Sequence, residues 1–246
     1  MTSSISLLQR LNSLLYPTAR WLTRHALLPC FTRLHVDGLD SLPLTGPVVI
    51  AANHLNDGDP VILTAVIPRR IVFMAKAELF DTPVFGTIAR AFGAIPVRRN
   101  QADLSALRRA GDVLSRGLAL VIFPEGRSTT SDARLAEAWP GAAIVALRSG
   151  APVLPIAITG SQRLQWPSVL RRIFRREDVT VMIGAPFWLP APERINAQSA
   201  AEGTRMIMQR IAALLPIEYR GYYGSEPLAN DAAGERAGSH ADHPGE

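Results

Sequence analysis

The chain has 246 residues, 48% hydrophobic and 19% charged, with a net charge of +5, which suits one large globular domain or two small ones. The positive balance fits an anionic membrane surface, a nucleic acid or a phosphorylated ligand; nucleic acid fits least, because no run of Lys or Arg exceeds two residues and aromatics are few. A single cysteine, Cys30, excludes an internal disulfide, and His54 is the only histidine in a site-like setting, so no metal centre is expected.

No apolar run is long enough to span a bilayer. The N-terminus lacks the basic start, compact apolar run and small-residue cleavage site of a signal peptide, so the expected location is inside the cell, soluble or on one face of a membrane. Residues 4–33 read as two helical pieces broken near Pro17. Ile5, Leu8, Leu11 and Leu15 recur at helical spacing in the first; Trp21, Leu22, Leu27, Leu28 and Phe31 accompany Arg20, Arg24 and Arg33 in the second. Such a cationic amphipathic segment either packs on the domain or lies in the plane of a membrane interface.

Leu34-His35-Val36 reads as a short strand, and a turn at Gly46-Pro47 leads into the apolar strand Val48–Ala52. There the chain turns polar, through Asn53-His54 to Asp59-Pro60. Asp is favoured as an N-cap and Pro at the first helical position, so a helix is predicted from Pro60 to Val66. Asp59 fits two readings, a plain helix cap or the partner that orients His54 as a base. A strand at Ile71–Met74, a helix at Thr82–Phe92 and a short strand edge from Ala94 follow, the last leaving Arg98 and Arg99 at its end.

Leu104–Arg116 is an amphipathic helix stopped by Gly117. The strand Leu118–Phe123 closes abruptly at Pro124-Glu125-Gly126-Arg127. A helix over Ala142–Arg148, strands at Val153–Ile158 and Val179–Ile183, and a last helix over Ala200–Leu214 complete the pattern; from Gly224 the chain has no periodicity and reads as a disordered tail. The predicted organisation is an amphipathic segment over 1–33, one α/β domain over 34–223 with a mainly parallel mixed sheet flanked by helices, and a tail over 224–246. The polar clusters after Ala52, Val97 and Phe123 each follow an apolar strand, which lets them meet at one sheet edge. Arg98 and Arg99 fit solvated surface charge or phosphate recognition, and Gly126 permits a ligand to approach backbone.

Taken together, His54-x4-Asp59, Gly93-Ala94-Ile95-Pro96-Val97-Arg98-Arg99, Phe123-Pro124-Glu125-Gly126 and Val153-Leu154-Pro155-Ile156-Ala157-Ile158 resemble, in this order, the four motifs of the glycerolipid acyltransferases, the lysophosphatidic acid acyltransferase family. The resemblance implies that His54 is the general base and Asp59 its orienter. It further implies that Arg99 contacts phosphate, that Glu125 and Gly126 bind the acceptor, and that Pro155 lies near the substrate pocket. The family often reads Glu-Gly-Thr-Arg-Ser where this chain reads Glu125-Gly126-Arg127-Ser128-Thr129, and often has Asp in the place of Arg98; both arginines enter as candidate phosphate contacts. The implied reaction moves a fatty acyl group from acyl-CoA or acyl-carrier protein, as substrate rather than cofactor, to the hydroxyl of a lysophospholipid, foremost 1-acylglycerol-3-phosphate. The implied setting is peripheral, on the cytoplasmic face of a membrane through residues 4–33. A lyso-aminolipid or other lysophospholipid acceptor, and a non-catalytic lipid-binding protein, stand as alternatives.

Overall fold

The computed structural model describes residues 16–98, 103–129, 131–165 and 175–224. The seven strands are β1 (Thr32–Asp37), β2 (Val48–Ala52), β3 (Ile71–Lys76), β4 (Ile95–Val97), β5 (Ala119–Ile122), β6 (Val153–Thr159) and β7 (Glu177–Ile183), joined in the order β1-β7-β6-β2-β5-β3-β4. Strands β2 to β6 all run parallel to one another. Only the β6–β7 pairing is antiparallel, and β1 runs with β7, so the mixed sheet is mainly parallel as predicted.

Helix α1 covers residues 16–22 and runs on into a π-turn, Thr23–Leu27. It is followed by α2 (Asp59–Val66), α3 (Pro83–Ala91), α4 (Leu104–Ser115), α5 (Gly141–Ser149) and α6 (Ala197–Leu214). The central strand shows why the sheet must be covered on both faces. Val49 and Ala51 join the core beneath α4, α5 and α6, whereas Val48, Ile50 and Ala52 join the core formed with α2, Tyr16 and Leu28. A strand buried on both faces has no polar side to alternate, which accounts for the unbroken apolar run at Val48–Ala52.

This topology creates a crevice. The chain leaves β2 for α2 on one face and leaves the neighbouring β5 for α5 on the other. The two loops part at the carboxyl ends of adjacent parallel strands, where ligands of open α/β sheets bind.

The described residues begin at Tyr16, which with Pro17 is already helical; the piece predicted over 4–15 lies outside them, as do residues 225–246 of the predicted tail. Two of the three arginines, Arg20 and Arg24, face the opposite way to the amphipathic reading. Arg20 and Arg24 both donate to the Ala65 carbonyl at 3.3 Å, at the last turn of α2, where cations meet the negative end of the helix dipole. Trp21, Leu22 and Leu27 are left exposed, Trp21 by 59%.

Candidate active site

The strand β2 is held past its last residue by a side chain. Asn53 donates from Nδ2 to the Ile158 carbonyl at 2.9 Å and accepts the Ile158 N–H at Oδ1 at 2.7 Å. An amide side chain thus continues the β2–β6 pairing by mimicking a backbone unit, and His54 leaves the sheet from a fixed point. Its backbone is gripped on both sides: the N–H donates to Glu125 Oε1 at 2.9 Å, and the carbonyl accepts the Thr129 N–H at 2.8 Å.

The imidazole is equally constrained. His54 Nδ1 lies 2.9 Å from Asp59 Oδ2, and the Phe123 ring stacks on the imidazole with centroids 4.2 Å apart and planes 20° from parallel. Asp59 is fully buried, and its Oδ2 also accepts the N–H groups of Leu55 at 2.8 Å and Asn56 at 2.9 Å. Oδ2 already accepts two backbone N–H groups, so it is the acceptor toward the ring as well and Nδ1 is the donating nitrogen, which leaves Nε2 as the acceptor of a neutral imidazole.

The cap reading of Asp59 is corrected by this geometry. Gly58 is the N-cap of α2, Asp59 is already helical, and no side chain caps the helix. One oxygen, Oδ2, closes the preceding loop and holds the histidine, while Oδ1 is buried without a hydrogen-bond partner. Asp59 still sits in the first helical turn, where the helix dipole favours its charge.

Glu125 lies beneath the dyad rather than on the crevice surface. It is 2% exposed, and its second oxygen, Oε2, accepts the Ala136 N–H at 2.8 Å. Burial pushes its carboxyl up to about 7, against the pull of the Ala136 and His54 amides. Each oxygen thus accepts a backbone amide, and Glu125 braces the His54 and Ala136 backbones. Gly126 follows with φ +69°, packed so that a Cβ would sit 3.1 Å from Trp139 Cδ1. A left-handed turn against an indole admits glycine readily and other residues only with strain.

Arg98 and Arg127 are both exposed, at the carboxyl ends of β4 and β5 and hence at the same edge as His54. Arg99 lies outside the described residues. Asp103 accepts the Arg98 N–H at 3.0 Å and the Ala106 N–H at 3.0 Å, which holds its carboxyl down at about 2. Pro155 does not come to the edge. It is buried within β6 opposite Ala51, where β7 ends and its carbonyl accepts the Gly184 N–H. Sequence reasoning missed Lys76, half-buried at the end of β3 on the shared edge. The signal was its singularity, the only lysine in an arginine-rich chain. Among the described residues no group of His, Cys, Asp and Glu is placed to hold a metal ion.

Fold and site together define an α/β protein with a buried, hydrogen-bonded His–Asp pair at a sheet edge that also carries cations. A family model described as Acyltransferase matches residues 33–159, so the chain belongs to that acyltransferase family. Its relatives include a 1-acyl-sn-glycerol-3-phosphate acyltransferase of Bacillus subtilis, 30% identical over 68% of this chain and 83% of the relative. A Streptococcus pneumoniae protein of the same name is 29% identical over 72% of this chain, and the match covers 62% of that relative. A lyso-ornithine lipid O-acyltransferase of Rhizobium meliloti is 35% identical over 46% of this chain and 39% of its own length. The fold is shared with the crystal structure of the 1-acyl-sn-glycerophosphate acyltransferase PlsC of Thermotoga maritima, with a TM-score of 0.64 at 21% identity, over 84% of this chain and 80% of that one.

Proposed function

We propose that this protein transfers a fatty acyl group from an acyl thioester, acyl-CoA or acyl-carrier protein, to the free hydroxyl of 1-acylglycerol-3-phosphate. The observation that carries the reading is the His54–Asp59 pair, buried, oriented through Nδ1 and standing where two loops part. His54 Nε2 takes the hydroxyl proton as the acceptor oxygen attacks the thioester carbonyl, and Asp59 stabilises the imidazolium that forms. The tetrahedral adduct collapses with loss of the thiolate, which receives the proton back from His54. No acyl-enzyme, metal or cofactor enters this sequence. Lys76, Arg98 and Arg127 supply the positive charge that an anionic headgroup needs at the same edge.

A second acceptor class is favoured by two facts. Relatives named for lyso-ornithine lipid match this chain, and Arg98 stands where the glycerolipid family often has Asp. A donor-by-acceptor activity matrix with purified protein separates the classes, because a lysophosphatidate enzyme loses most activity when the acceptor lacks its phosphate. No described helix is long and apolar enough to cross a membrane. The exposed Trp21, Leu22 and Leu27 suit a peripheral contact with the cytoplasmic face of the membrane that holds the acceptor. His54→Ala abolishes transfer in a folded protein under this mechanism; near-normal turnover by that variant overturns it. Vesicle binding without transfer from any donor favours a non-catalytic lipid binder instead.

A further inference from the structure

The segment from Arg127 to Pro140, which joins the Phe123–Gly126 turn to α5, has no helix or strand among its described residues, yet its backbone amides between 135 and 139 are donated alternately in two directions. Ala136 donates to Glu125 Oε2 at 2.8 Å and Trp139 to the Pro124 carbonyl at 2.9 Å, both on the site side. Leu135 donates to the Tyr219 carbonyl at 2.9 Å and Ala138 to the Tyr223 hydroxyl oxygen at 3.2 Å, both on the other side. The Leu135 carbonyl in turn accepts the Tyr222 N–H at 3.0 Å. The segment is thus a ribbon held between the turn that braces His54 and the short chain that follows α6.

That chain, residues 216–224, runs as two 3₁₀ turns, Ile217–Tyr219 and Gly221–Tyr223. Its Tyr219 hydroxyl also accepts Gln162 Nε2 at 2.9 Å, and two residues on the Leu164 carbonyl accepts Asn56 Nδ2 at 3.3 Å. It is therefore linked to the His54–Asp59 loop a second way, through the Gln162–Leu164 turn. Ala133, at φ +54°, is the one non-glycine with positive φ among the described residues, and its N–H bonds the carbonyl of Thr129, the residue that grips His54. A strained conformation of this kind persists only where its surroundings over-determine it.

We propose that residues 216–224 form a strap that positions the active site, holding the 127–140 ribbon against Glu125 and Thr129 and through them fixing the backbone of His54. The strap lies outside residues 33–159, the span matched by the family model. Tyr223 and Tyr219 are positioning residues, remote from the reacting atoms. Gly221 seats the strap: at φ +45° it lies so close to the Leu135 carbonyl that a Cβ there has no room.

The test uses the full chain with Tyr223→Phe, which removes one acceptor oxygen, and Gly221→Ala as the stronger perturbation. Amide hydrogen exchange is followed at residues 53–56, 133–138 and 216–224, beside kcat, KM and the thermal midpoint. The proposal expects faster exchange at 53–56 as well as at 133–138 in both variants. It also expects a loss in kcat of about tenfold for Tyr223→Phe with KM for both substrates little changed, the pattern of a small misplacement of the base. Exchange changes confined to the strap and ribbon, or a lowered midpoint with unchanged kcat per folded molecule, overturn it. The kinetic arm rests on the acyl-transfer reading; if the wild-type protein transfers no acyl group that reading fails, while exchange at 53–56 still decides the strap.

Discussion

Replacing Asp59 by Asn isolates the charge of the dyad from its shape. Asp59 is fully buried, and its Oδ2 accepts from His54 Nδ1, Leu55 N–H and Asn56 N–H, whereas Oδ1 accepts from nothing. The amide has two orientations. With its NH2 in the place of Oδ2, the Leu55 and Asn56 donors meet a donor; with its carbonyl there, they stay satisfied and the NH2 is orphaned at the Oδ1 position. The second orientation costs one unsatisfied buried donor, about 1–3 kcal/mol, and the first costs more, so the carbonyl faces the histidine. The imidazole keeps its productive tautomer and loses only the charge that stabilises the imidazolium. A hydrogen bond to a charged partner contributes about 1.5–3 kcal/mol against about 0.5–1.5 for a neutral one, and tenfold in rate is about 1.4 kcal/mol, so the difference of about 1–1.5 kcal/mol lowers kcat about 5- to 10-fold. The KM values stay near wild type, and stability falls by about 1–3 kcal/mol. Thiol release under saturating donor and acceptor measures the first, and urea unfolding the last. A kcat within about threefold of wild type, well inside one decade, would refute the role given to Asp59.

Glu125 makes stability depend on pH. The native state holds its proton up to about 7 and the unfolded chain releases it near 4.5, so between these values the native state binds more protons and stability falls as pH rises. The span amounts to about 3 kcal/mol, and Glu125→Gln removes that slope in urea unfolding from pH 5 to 8; a slope that survives in the variant contradicts the assignment. Gly126→Ala places a side chain at φ +69° against Trp139 and lowers stability by about 1–2 kcal/mol, read from the same unfolding curves. Trp21→Glu weakens binding to anionic vesicles about tenfold or more in a sedimentation assay, given about 2 kcal/mol for burying a large apolar side chain; equal binding by variant and wild type excludes α1 from the contact.

Local pattern alone determined much of this protein. The apolar run Val48–Ala52 had to be a strand covered on both faces, and Leu104–Ser115 had to be a helix showing one face to the core, because side-chain periodicity records burial directly. The order of polar clusters after strand ends pointed to a common edge, and His54 with Asp59 stood close enough in sequence to be paired in advance. Tertiary structure decided what covers each face and which donor meets each acceptor. Arg20 and Arg24 turned inward because the end of α2, forty residues away in sequence, offered a carbonyl. Glu125 left the crevice surface because its two oxygens were claimed by amides at 54 and 136. The strap at 216–224 was invisible for the same reason: its hold on the ribbon runs through backbone groups, which every residue carries alike and no side-chain pattern reports.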